Sequence, residues 1–474
     1  MSLTSQENIV MVLTAFNPWW RSGTVRPEFS KNYKRFAFYE AVEILLHESI
    51  RRTVILTGIR RAGKTTIQYQ IIESLLNSGV KPQRIVFVSL DHPLLKLCNL
   101  NEVLDCYHAN IYGDEDCYYF LDEVQYAVDW DKWLKIIYDT RPLSRMAATG
   151  SASPVLRKKA TESGAGRWTF IQVPTLSFYE YCEMLDVERP DLPIDANPME
   201  LRHDGRELTL LMTRLSGLQK HFNRYLMLGG FPELALSKDD FLAQAIMRED
   251  VVDKVLKRDI ASLYNVRNSS ELERIFLYLC YCSSNIIAVD AIAKELGGVS
   301  RSTVDDYICY MECANLIYRS YPVEMGGKKI LKAKSKIYVA DAAIRNAVLM
   351  HDELMDPIQL GITVETSVYK HIAAFYSKSA ARVGYYRDGK KGKEIDIVVD
   401  FPRGKILIEV KYRESAEVGE KDAIYDLADE ASHSIVVTKR ENDYGVKESK
   451  GGKNILRLPA FAFLYLLGRG DKYD

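Results

Sequence analysis

The segment from Gly58 to Thr65 reads GIRRAGKT and satisfies every specified position of the pattern GxxxxGK[ST]. It follows a short apolar run at 53–57 and precedes a helical stretch that begins near Lys64. A glycine-rich turn in this place points backbone amides inward, and the start of the helix adds a partial positive charge. The pattern predicts an ATP phosphate loop in which Lys64 reaches the β- and γ-phosphates and Thr65 ligates Mg²⁺. The predicted nucleotide contacts are Gly58, Arg61, Ala62, Gly63, Lys64, Thr65 and Thr66.

An acidic pair, Asp122 and Glu123, ends a later apolar run at 118–121. In ATP-hydrolysing sites such a pair supplies a magnesium ligand, here Asp122, and a base for the attacking water, here Glu123. An acidic pair after a strand can also be a simple helix cap, but its position two strands after the loop favours the catalytic interpretation. The next run ends in Thr149 and Ser151, either of which would sense the γ-phosphate or only cap the following turn.

Between residues 53 and 173, short apolar runs alternate with helical stretches. Strands that are apolar on both faces are typical of a parallel sheet covered by helices. We therefore predict an α/β fold for residues 1–180, with the phosphate loop after its first strand. The predicted strands are residues 53–57, 84–91, 118–122, 145–149 and 170–173.

The composition, with 47% hydrophobic and 27% charged residues, is that of a globular protein. A chain of 474 residues allows about three or four domains. No apolar run reaches the roughly 20 residues of a membrane helix and no signal segment is evident, so we expect a cytoplasmic protein without a membrane partner. The eight cysteines lack zinc-ligand spacing and are interpreted as buried thiols. Because the net charge is −1, nucleic acid would have to bind local basic patches.

Three further domains are predicted after the first. Residues 181–265 are helical apart from a loop rich in Pro, Asp and Asn, and we interpret them as a helical lid or connector. Residues 266–345 contain two helices around a Gly-Gly turn and then a basic hairpin, which predicts a winged helix. Residues 355–474 open with a helix and continue with strands, which predicts a second α/β domain.

The predicted winged helix carries two features suited to DNA. After Ser300, a natural N-cap, Arg301, Ser302 and Thr303 could touch phosphates or base edges. In the hairpin, lysines at every second position share one face of a strand, and such a ribbon predicts salt-sensitive binding to a phosphate backbone. Two aspartates on the same helix favour the alternative, in which the wing is only solvated. The hairpin lysines are Lys328, Lys329, Lys332, Lys334 and Lys336.

Acidic and basic residues alternate with apolar ones in segments 394–400 and 405–412. Two adjacent strands with this pattern would bring Asp396, Glu409 and Lys411 together. Two carboxylates can hold Mg²⁺, or alternatively Mn²⁺, against a phosphodiester, while a lysine positions the attacking water. Glu365, on the preceding helix, would complete the metal shell. The alternative is an amphipathic edge hairpin with solvated charges.

Ordered motifs along almost the whole chain resemble prokaryotic AAA-type ATPases that carry a C-terminal domain of unknown function. The motifs are NPWW at 17–20, the phosphate loop, LDE at 121–123, TGS at 149–151, LSFYE at 176–180 and GGFPE at 229–233. The resemblance implies an additional-strand ATPase core with a winged helix and a restriction-endonuclease-like C-terminal α/β domain. Glu365, Asp396, Glu409 and Lys411 occur in the order of the PD-(D/E)XK nuclease fold, although no proline–acid pair precedes the hairpin.

One further cation, Arg167, follows a Gly-Ala-Gly turn. It would complete the transition-state charge in cis or from the neighbouring subunit of a homo-oligomer, or it is simply a surface arginine. The leading hypothesis is a Mg²⁺-dependent ATP hydrolase that controls how the winged helix and the nuclease-like domain engage DNA. The alternatives are a nucleotide-dependent switch or scaffold with an inactive nuclease-like domain, and an ATPase that remodels proteins. The expected ligands are ATP or ADP, Mg²⁺ and DNA.

Overall fold

The computed structural model describes residues 5–114, 116–151, 166–193, 196–201, 205–264, 266, 268–323, 334–350, 356–388, 392–402 and 404–470. The chain forms two compact units, of which the first comprises Met1–Pro174 with Cys313–Asn315. The second comprises Thr175–Glu312 and Leu316–Asp474. Among the helices of these described ranges, none has the length and apolar character needed to cross a membrane.

The first unit is built on a sheet of strands β1 (Thr53–Thr57), β2 (Ile85–Ser89), β3 (Tyr118–Asp122), β4 (Arg145–Gly150) and β5 (Trp168–Gln172). All neighbours pair in parallel, in the order β2-β3-β4-β1-β5. β1 and β2 are buried along their whole length, because helices cover both faces of the sheet. The predicted α/β fold with a parallel sheet is therefore confirmed. Parallel pairing also places the carboxyl ends of β1, β3 and β4 at one edge.

The NPWW motif fastens the first helix of this unit to β2. Asn17 donates to the carbonyl of Phe87 at 2.8 Å and accepts from its amide at 2.6 Å. The indole nitrogens of Trp19 and Trp20 both donate to the carbonyl of Ile85, at 3.1 and 2.8 Å. These bonds use backbone groups that no neighbouring strand satisfies, because β2 is an edge strand. The helices of the unit are Gln6–Phe16, Trp19–Ser22, Phe36–Leu46, Lys64–Asn77, Leu100–Asn110 and Trp130–Thr140.

The second unit begins with helices, as predicted for the lid. Phe178–Met184 starts with a capping box, in which Ser177 accepts from the amide of Glu180 and Glu180 accepts from the amide of Ser177. Two π-helical segments, Met247–Asp253 and Val255–Ile260, interrupt the later part. The α-helices of the unit are Phe178–Met184, Gly205–Leu215, Gln219–Leu228, Pro232–Ala235, Asp240–Ile246, Ala261–Tyr264, Ser269–Tyr281, Val289–Glu295, Arg301–Cys313, Ala342–Leu349, Pro357–Phe375, Ala423–Leu427 and Ala460–Gly470.

A nine-stranded sheet runs through the rest of the second unit. Its strands are β6 (Asn285–Ile286), β7 (Ile317–Pro322), β8 (Lys336–Val339), β9 (Arg382–Arg387), β10 (Glu394–Phe401), β11 (Gly404–Lys411), β12 (His433–Thr438), β13 (Gly445–Glu448) and β14 (Asn454–Pro459). Their order is β13-β14-β12-β11-β10-β9-β7-β8-β6. β7 pairs in parallel with β9. The strands of the predicted winged helix and of the predicted C-terminal domain therefore belong to one sheet.

The C-terminal part of this sheet has a regular order along the chain. The Pro357–Phe375 helix leads into β9, β10 and β11, which pair as an antiparallel meander, and β12 then adds parallel to β11. The Ala423–Leu427 helix packs on β10 and β11 through a core that includes Ile395, Leu407 and Ile424. The β10–β11 ladder ends at the pair Ile397–Ile408, so the next residue of each strand lies where the two strands separate.

Candidate functional site

The phosphate loop has the backbone that its glycines predict. Gly58 has a φ of 153°, and a Cβ at this position would lie 2.2 Å from the carbonyl oxygen of Val173. Gly63 adopts the left-handed conformation, with a φ of 96°, and the helix begins at Lys64 as expected. A side chain at either position would be strained or would clash, so only glycine lets the chain turn so tightly between β1 and this helix.

Lys64 lies folded over its own loop. Its side chain is almost buried, and its Nζ donates to the backbone carbonyls of Gly58 at 2.8 Å and Ile59 at 3.0 Å. Neutral carbonyls hold an ammonium group more weakly than a phosphate does. The lysine is therefore held in place by groups that an anionic ligand can replace.

Arg35 supports the loop from outside, and no pattern in the sequence indicated this role. Its Nη1 donates to the carbonyls of Ala62 and Pro174, both at 2.8 Å, and the residue is buried. Ala62 is itself fully buried. The guanidinium thus links the loop to the segment that follows β5, a contact between positions that are far apart in the sequence.

The predicted acidic and hydroxyl residues meet at the carboxyl edge of the sheet. Thr65 Oγ1 donates to Asp122 Oδ1 at 3.0 Å, and Thr149 Oγ1 donates to the same oxygen at 2.6 Å. The backbone amide of Glu123 donates to Thr149 Oγ1 at 3.0 Å. Thr149 therefore joins β4 to the acidic pair, and Thr65 joins the loop to it.

Burial raises the pKa of Asp122 to about 7, with the neighbouring charge of Glu123 as the second cause. Hydrogen bonds from Thr149 and Thr65, and the charge of Lys64, act in the opposite direction. A nearby cation stabilises the charged form of a buried carboxylate of this kind. Carboxylate and hydroxyl oxygens are ligands that suit Mg²⁺, so the donor set of Thr65 and Asp122 fits that ion.

Gln125 connects Glu123 to β4 and was missed by the sequence reasoning. Glu123 adopts a left-handed backbone conformation with a φ of 54°. The amide nitrogen of Gln125 donates to the Glu123 carboxylate and, at 3.1 Å, to Ser151 Oγ. Ser151, predicted as a γ-phosphate sensor, thus holds the glutamine that contacts the predicted base. The LDE motif followed by glutamine was the available signal.

Arg167 lies away from this edge. Its Nε donates to Asp139 at 2.9 Å, and it directly precedes β5. The first residue of β5, Trp168, pairs with Thr53, the first residue of β1, whereas the phosphate loop follows the last residue of β1. Arg167 is therefore at the opposite end of these strands, and its position does not favour the cis interpretation. A role in trans stays a prediction.

The observed position of Lys336 contradicts the prediction of a basic ribbon on the wing. It was expected on an exposed strand face, but its side chain is only 2% exposed. Its Nζ lies 2.9 Å from Glu365 Oε1, 2.9 Å from Glu394 Oε1 and 3.3 Å from Asp396 Oδ1. The physical reason is that β8 is buried along its whole length and packs against the Pro357–Phe375 helix, which carries Glu365. Lys334 is exposed, whereas Lys328, Lys329 and Lys332 lie outside the described residues.

The four residues predicted from the nuclease pattern do come together. Asp396 and Glu409 are the residues at which β10 and β11 separate, and Asp396 Oδ2 accepts from the amide of Val410 at 2.9 Å. Lys411 lies 3.9 Å from Glu409 and also pairs with Asp422. We refer to Glu365, Glu394, Asp396 and Glu409 as the acid cluster. The sequence did not predict that Glu394 belongs to this cluster or that Asp422 and Lys336 contact its surroundings.

The carboxyl groups of the acid cluster are strongly perturbed. Burial, followed by the charge of Asp396, raises the pKa of Glu409 to about 8 and that of Glu365 to about 7. Glu409 Oε2 is buried and has no hydrogen-bond partner within the described structure. Nevertheless, over the described ranges no group of three His, Cys, Asp or Glu side chains is arranged to hold a metal ion. With the Lys336 ammonium among them, the predicted ligands do not fit a metal in this conformation.

The start of the Arg301–Cys313 helix is exposed, as predicted for a surface that contacts DNA. Ser300 Oγ accepts from the amide of Thr303 at 3.1 Å, which confirms it as the N-cap. The Arg301 side chain is 72% exposed and lies 3.5 Å from Asp290. Asp305, one of the two aspartates on this helix, pairs with Arg319 at 3.0 Å. Its charge is thus partly neutralised within the fold.

Comparison with known proteins agrees with the geometry of the first unit. Residues 50–182 match the family model of an AAA domain. Residues 219–354 and 360–461 match two models described as domains of unknown function, DUF8612 and DUF4143. The parallel sheet, the loop and the AAA-domain match together define an AAA-type ATPase-like domain.

Relatives that match this chain over most of its length are described as uncharacterized proteins. One protein of Methanocaldococcus jannaschii is 24% identical over 454 residues, which cover 93% of this chain and 90% of that protein. A second from the same organism is 25% identical, over 76% of this chain and 74% of that protein. The solved structure of the Aeropyrum pernix Orc1 protein in complex with DNA matches with a TM-score of 0.31 and 12% identity. That match covers 66% of this chain and 91% of the Orc1 chain.

Proposed function

We propose that this protein is a Mg²⁺-dependent ATP hydrolase. The observation that carries the proposal is the convergence of Thr65 and Thr149 on Asp122, beside a loop of the phosphate-binding type. Loop amides and Lys64 bind the phosphates, and Thr65 and Asp122 hold the ion, which neutralises charge on the β- and γ-phosphates when bound. Glu123 takes the proton of the attacking water.

Gln125 and Thr149 keep the base in position for this reaction. Gln125 contacts the Glu123 carboxylate through its amide nitrogen, and Thr149 holds the Glu123 backbone. The side-chain oxygen of Gln125 is buried without a hydrogen-bond partner in the described structure. It is therefore able to accept a hydrogen bond from the water that Glu123 activates, which makes Gln125 a positioning residue.

Calorimetry with ATP and ADP, together with phosphate release with and without Mg²⁺, tests this function. We expect binding of both nucleotides, hydrolysis only with the metal, and weakened nucleotide binding in Lys64→Ala. Folded protein that takes up neither nucleotide at millimolar concentration would overturn the proposal. Lys334→Ala is the matched control, because this exposed lysine lies in the other unit and should leave both measurements unchanged.

Arg167 is proposed to act from a neighbouring subunit. It lies at the end of β5 remote from the loop of its own chain, and its partner Asp139 is partly exposed, so the ion pair can open. A homo-oligomer would place this arginine near the γ-phosphate of the next subunit. Sedimentation with ATP, and rescue of Arg167→Ala hydrolysis by mixing with Glu123→Gln subunits, test the arrangement. Failure of rescue in a stable oligomer contradicts it.

We also propose that the second unit engages DNA through the start of the Arg301–Cys313 helix and through Lys334. Arg301 is largely exposed, and Lys334 is exposed. Contacts of this type are weakened by salt, and each lost phosphate contact lowers the slope of log affinity against log salt by about 1. Arg301→Glu with Lys334→Glu should weaken binding to labelled DNA, whereas Lys238→Glu, another exposed lysine, should not. Unchanged binding in the double variant excludes this surface.

The acid cluster and Lys411 are proposed as components of a nuclease-like site. The supporting observation is the order of helix and strands around them, with the charged residues where β10 and β11 separate. A panel of labelled DNA structures with Mg²⁺ or Mn²⁺, with and without ATP, tests for cleavage. Cleavage that survives Asp396→Ala and Lys411→Ala removes these residues from the mechanism. Absence of cleavage favours the alternative, a nucleotide-dependent switch whose nuclease-like domain only binds nucleic acid or protein.

A further inference from the structure

Lys336 occupies the middle of the acid cluster, although it comes from a different part of the chain. It is the first residue of β8, whereas Glu394 and Asp396 lie on β10. Three carboxylate oxygens surround its Nζ within 3.3 Å, and the side chain is 2% exposed. Several oxygens converging on one point is also what a hard divalent cation requires. The ammonium group and a metal ion would therefore compete for the same space.

The position of Lys336 is fixed by the sheet. Its backbone pairs with Ser320 of β7 and with Ile286 of β6. Two residues later, on the same face of β8, Tyr338 donates to Glu365 at 2.9 Å and stacks on Tyr369 with ring centroids 3.9 Å apart. An ordered strand thus holds the backbone of this lysine beside the cluster.

The negative charge of the cluster has to be balanced by a cation, which is the Lys336 ammonium or an ion that takes its place. Its four carboxylates face two ammonium groups, those of Lys336 and Lys411. Glu409 Oε2 already lacks a hydrogen-bond partner among the described residues. Removing Lys336 would leave four partly buried carboxylates with a single neighbouring ammonium, and such charge is costly unless another cation replaces it.

We propose that Lys336 is an internal counterion that occupies the place of a divalent cation and keeps metal ions out of the acid cluster. The inference rests on the proposed assignment of the cluster to a nuclease-like site. It explains why the charged residues of the pattern meet and yet do not fit a metal.

Mn²⁺ binding to the full chain without nucleotide tests the proposal, since paramagnetic resonance counts the free ion directly. Wild-type protein and Lys334→Gln should show no Mn²⁺ at the cluster. Lys336→Gln should add one bound ion, with affinity at least about tenfold above any wild-type binding, because one repelling charge has gone. Asp396→Asn placed on Lys336→Gln should remove that ion. Any Mn²⁺ at the ATPase site is common to all four proteins and cancels.

The thermal midpoint is a second readout, independent of any activity. Lys336→Gln should melt below wild type without metal and recover when Mn²⁺ is added, because a ligand that binds only the folded state stabilises it. Wild-type protein should respond less, by no more than any Mn²⁺ at the proposed ATPase site causes in both proteins. Should Lys336→Gln fail to fold, Lys336→Gln with Glu394→Gln keeps the charge balance and leaves Glu365, Asp396 and Glu409 for the metal.

The outcomes separate this inference from the proposed function of the cluster. Equal Mn²⁺ affinity in wild type and Lys336→Gln, abolished by Asp396→Asn, would support the metal site and overturn the role of Lys336. Absence of added Mn²⁺ in both folded Lys336 variants would overturn the metal site and the inference together. In either case the ATPase proposal is untouched, because its residues lie in the first unit.

Discussion

Lys64 and Lys336 are both almost buried beside carboxylates, but their ammonium groups have different partners. Lys64 donates to two neutral backbone carbonyls of the phosphate loop, and Asp122 nearby is held by threonine hydroxyls. Lys336 lies among three carboxylates. The first lysine can exchange its carbonyls for phosphate oxygens at little cost, whereas the second would have to leave ion pairs.

The contrast shows that residue type alone does not determine which ligand a site can bind. Each site combines buried acids with lysines, and in each a carboxyl pKa is raised to about 7, chiefly by burial. In the first site the positive charge is placed where an anionic ligand would come. In the second it already lies between the acids and partly neutralises them. The proposed ATPase site is therefore open to an anionic ligand, whereas the position of a cation in the acid cluster is already occupied.

The largest expected effect is on the rate of ATP hydrolysis, which should depend on the acid of the first site and not on those of the acid cluster. Glu123→Gln should retain ATP but slow its hydrolysis by about 100- to 10,000-fold, because the base that takes a proton from water is lost. Glu409→Gln, which changes a carboxylate of the acid cluster in the same way, should leave hydrolysis unchanged. Single-turnover phosphate release measures both. Wild-type turnover in Glu123→Gln would assign the base to another residue.

The second prediction concerns a lysine that is paired with a carboxylate, as Lys336 is, but whose partner is purely structural. Lys370 donates to Asp341 at 2.9 Å and to the Tyr225 hydroxyl at 2.7 Å, and both residues of the ion pair are buried. Burial alone would raise the pKa of Asp341, but the charge of Lys370 and hydrogen bonds from Thr175 and Lys370 bring it below its ordinary value.

Lys370→Met leaves this aspartate buried without its partner, so we expect the free energy of unfolding to fall by about 3–5 kcal/mol. Denaturant titration of the full chain measures the change. Lys378→Met, at an exposed position three residues after the Phe375 helix end, should cost far less. Equal effects of the two substitutions would show that the buried pair adds nothing specific.

The third prediction concerns Lys64 as the lysine that can change partners. Lys64→Met should weaken ATP binding roughly 100-fold, because charge-assisted hydrogen bonds to phosphate are lost. It should lower the free energy of unfolding less than Lys370→Met does, because the hydrogen bonds of Lys64 to Gly58 and Ile59 are made to neutral carbonyls. Calorimetry and denaturant titration on the same sample test both parts. Strong destabilisation would mean that Lys64 stabilises the fold to the same degree as Lys370.

The smallest expected effect is a pH dependence beside the Lys370 pair. His371 is buried, its Nε2 accepts from the amide of Phe178 at 2.9 Å, and its Nδ1 contacts the carbonyl of Ser367. Burial, and then the charge of Lys370, lower the pKa of His371 to about 3 from an ordinary value of 6.5. Folded protein therefore keeps a neutral ring over a range where the unfolded chain binds a proton.

This difference has no effect on stability above about pH 6.5, where the ring is neutral in both states, and it lowers the free energy of unfolding progressively as the pH falls toward 3. The expected contribution to the slope of unfolding free energy is about 1.4 kcal/mol per pH unit within that window. His371→Gln should remove that part of the slope and leave stability above pH 7 independent of pH at this position. An unchanged slope in the variant would mean that the ring titrates normally in the folded state.

Local patterns were enough to predict most of the residues that meet in the proposed ATPase site. The loop, the strands of the parallel sheet and the acidic pair follow from residues that are adjacent or alternate in the sequence, and the strand ends agree within a few residues. The supporting residues Arg35 and Gln125 could not be predicted in this way. Arg35 acts on Ala62 and Pro174, so no spacing in the sequence encodes the contact.

The second unit shows the same limit more strongly. The alternation of charged and apolar residues correctly indicated strands near 394 and 405, but β13 and β14 were not predicted. Period-two patterns reveal which residues share a face and say nothing of what covers that face. For this reason the pattern assigned Lys336 to a solvated ribbon, whereas its side chain is buried among three carboxylates.

The sequence alone determined the phosphate loop of the first unit, because such a loop is a local backbone structure set by two glycines, a lysine and a threonine. Only the tertiary structure decided which charges meet in the second unit. Strand β7 pairs with β9, and that pairing joins segments whose contact depends on the whole sheet. Electrostatic energy depends on distance in space and on burial, and neither is written in the order of residues.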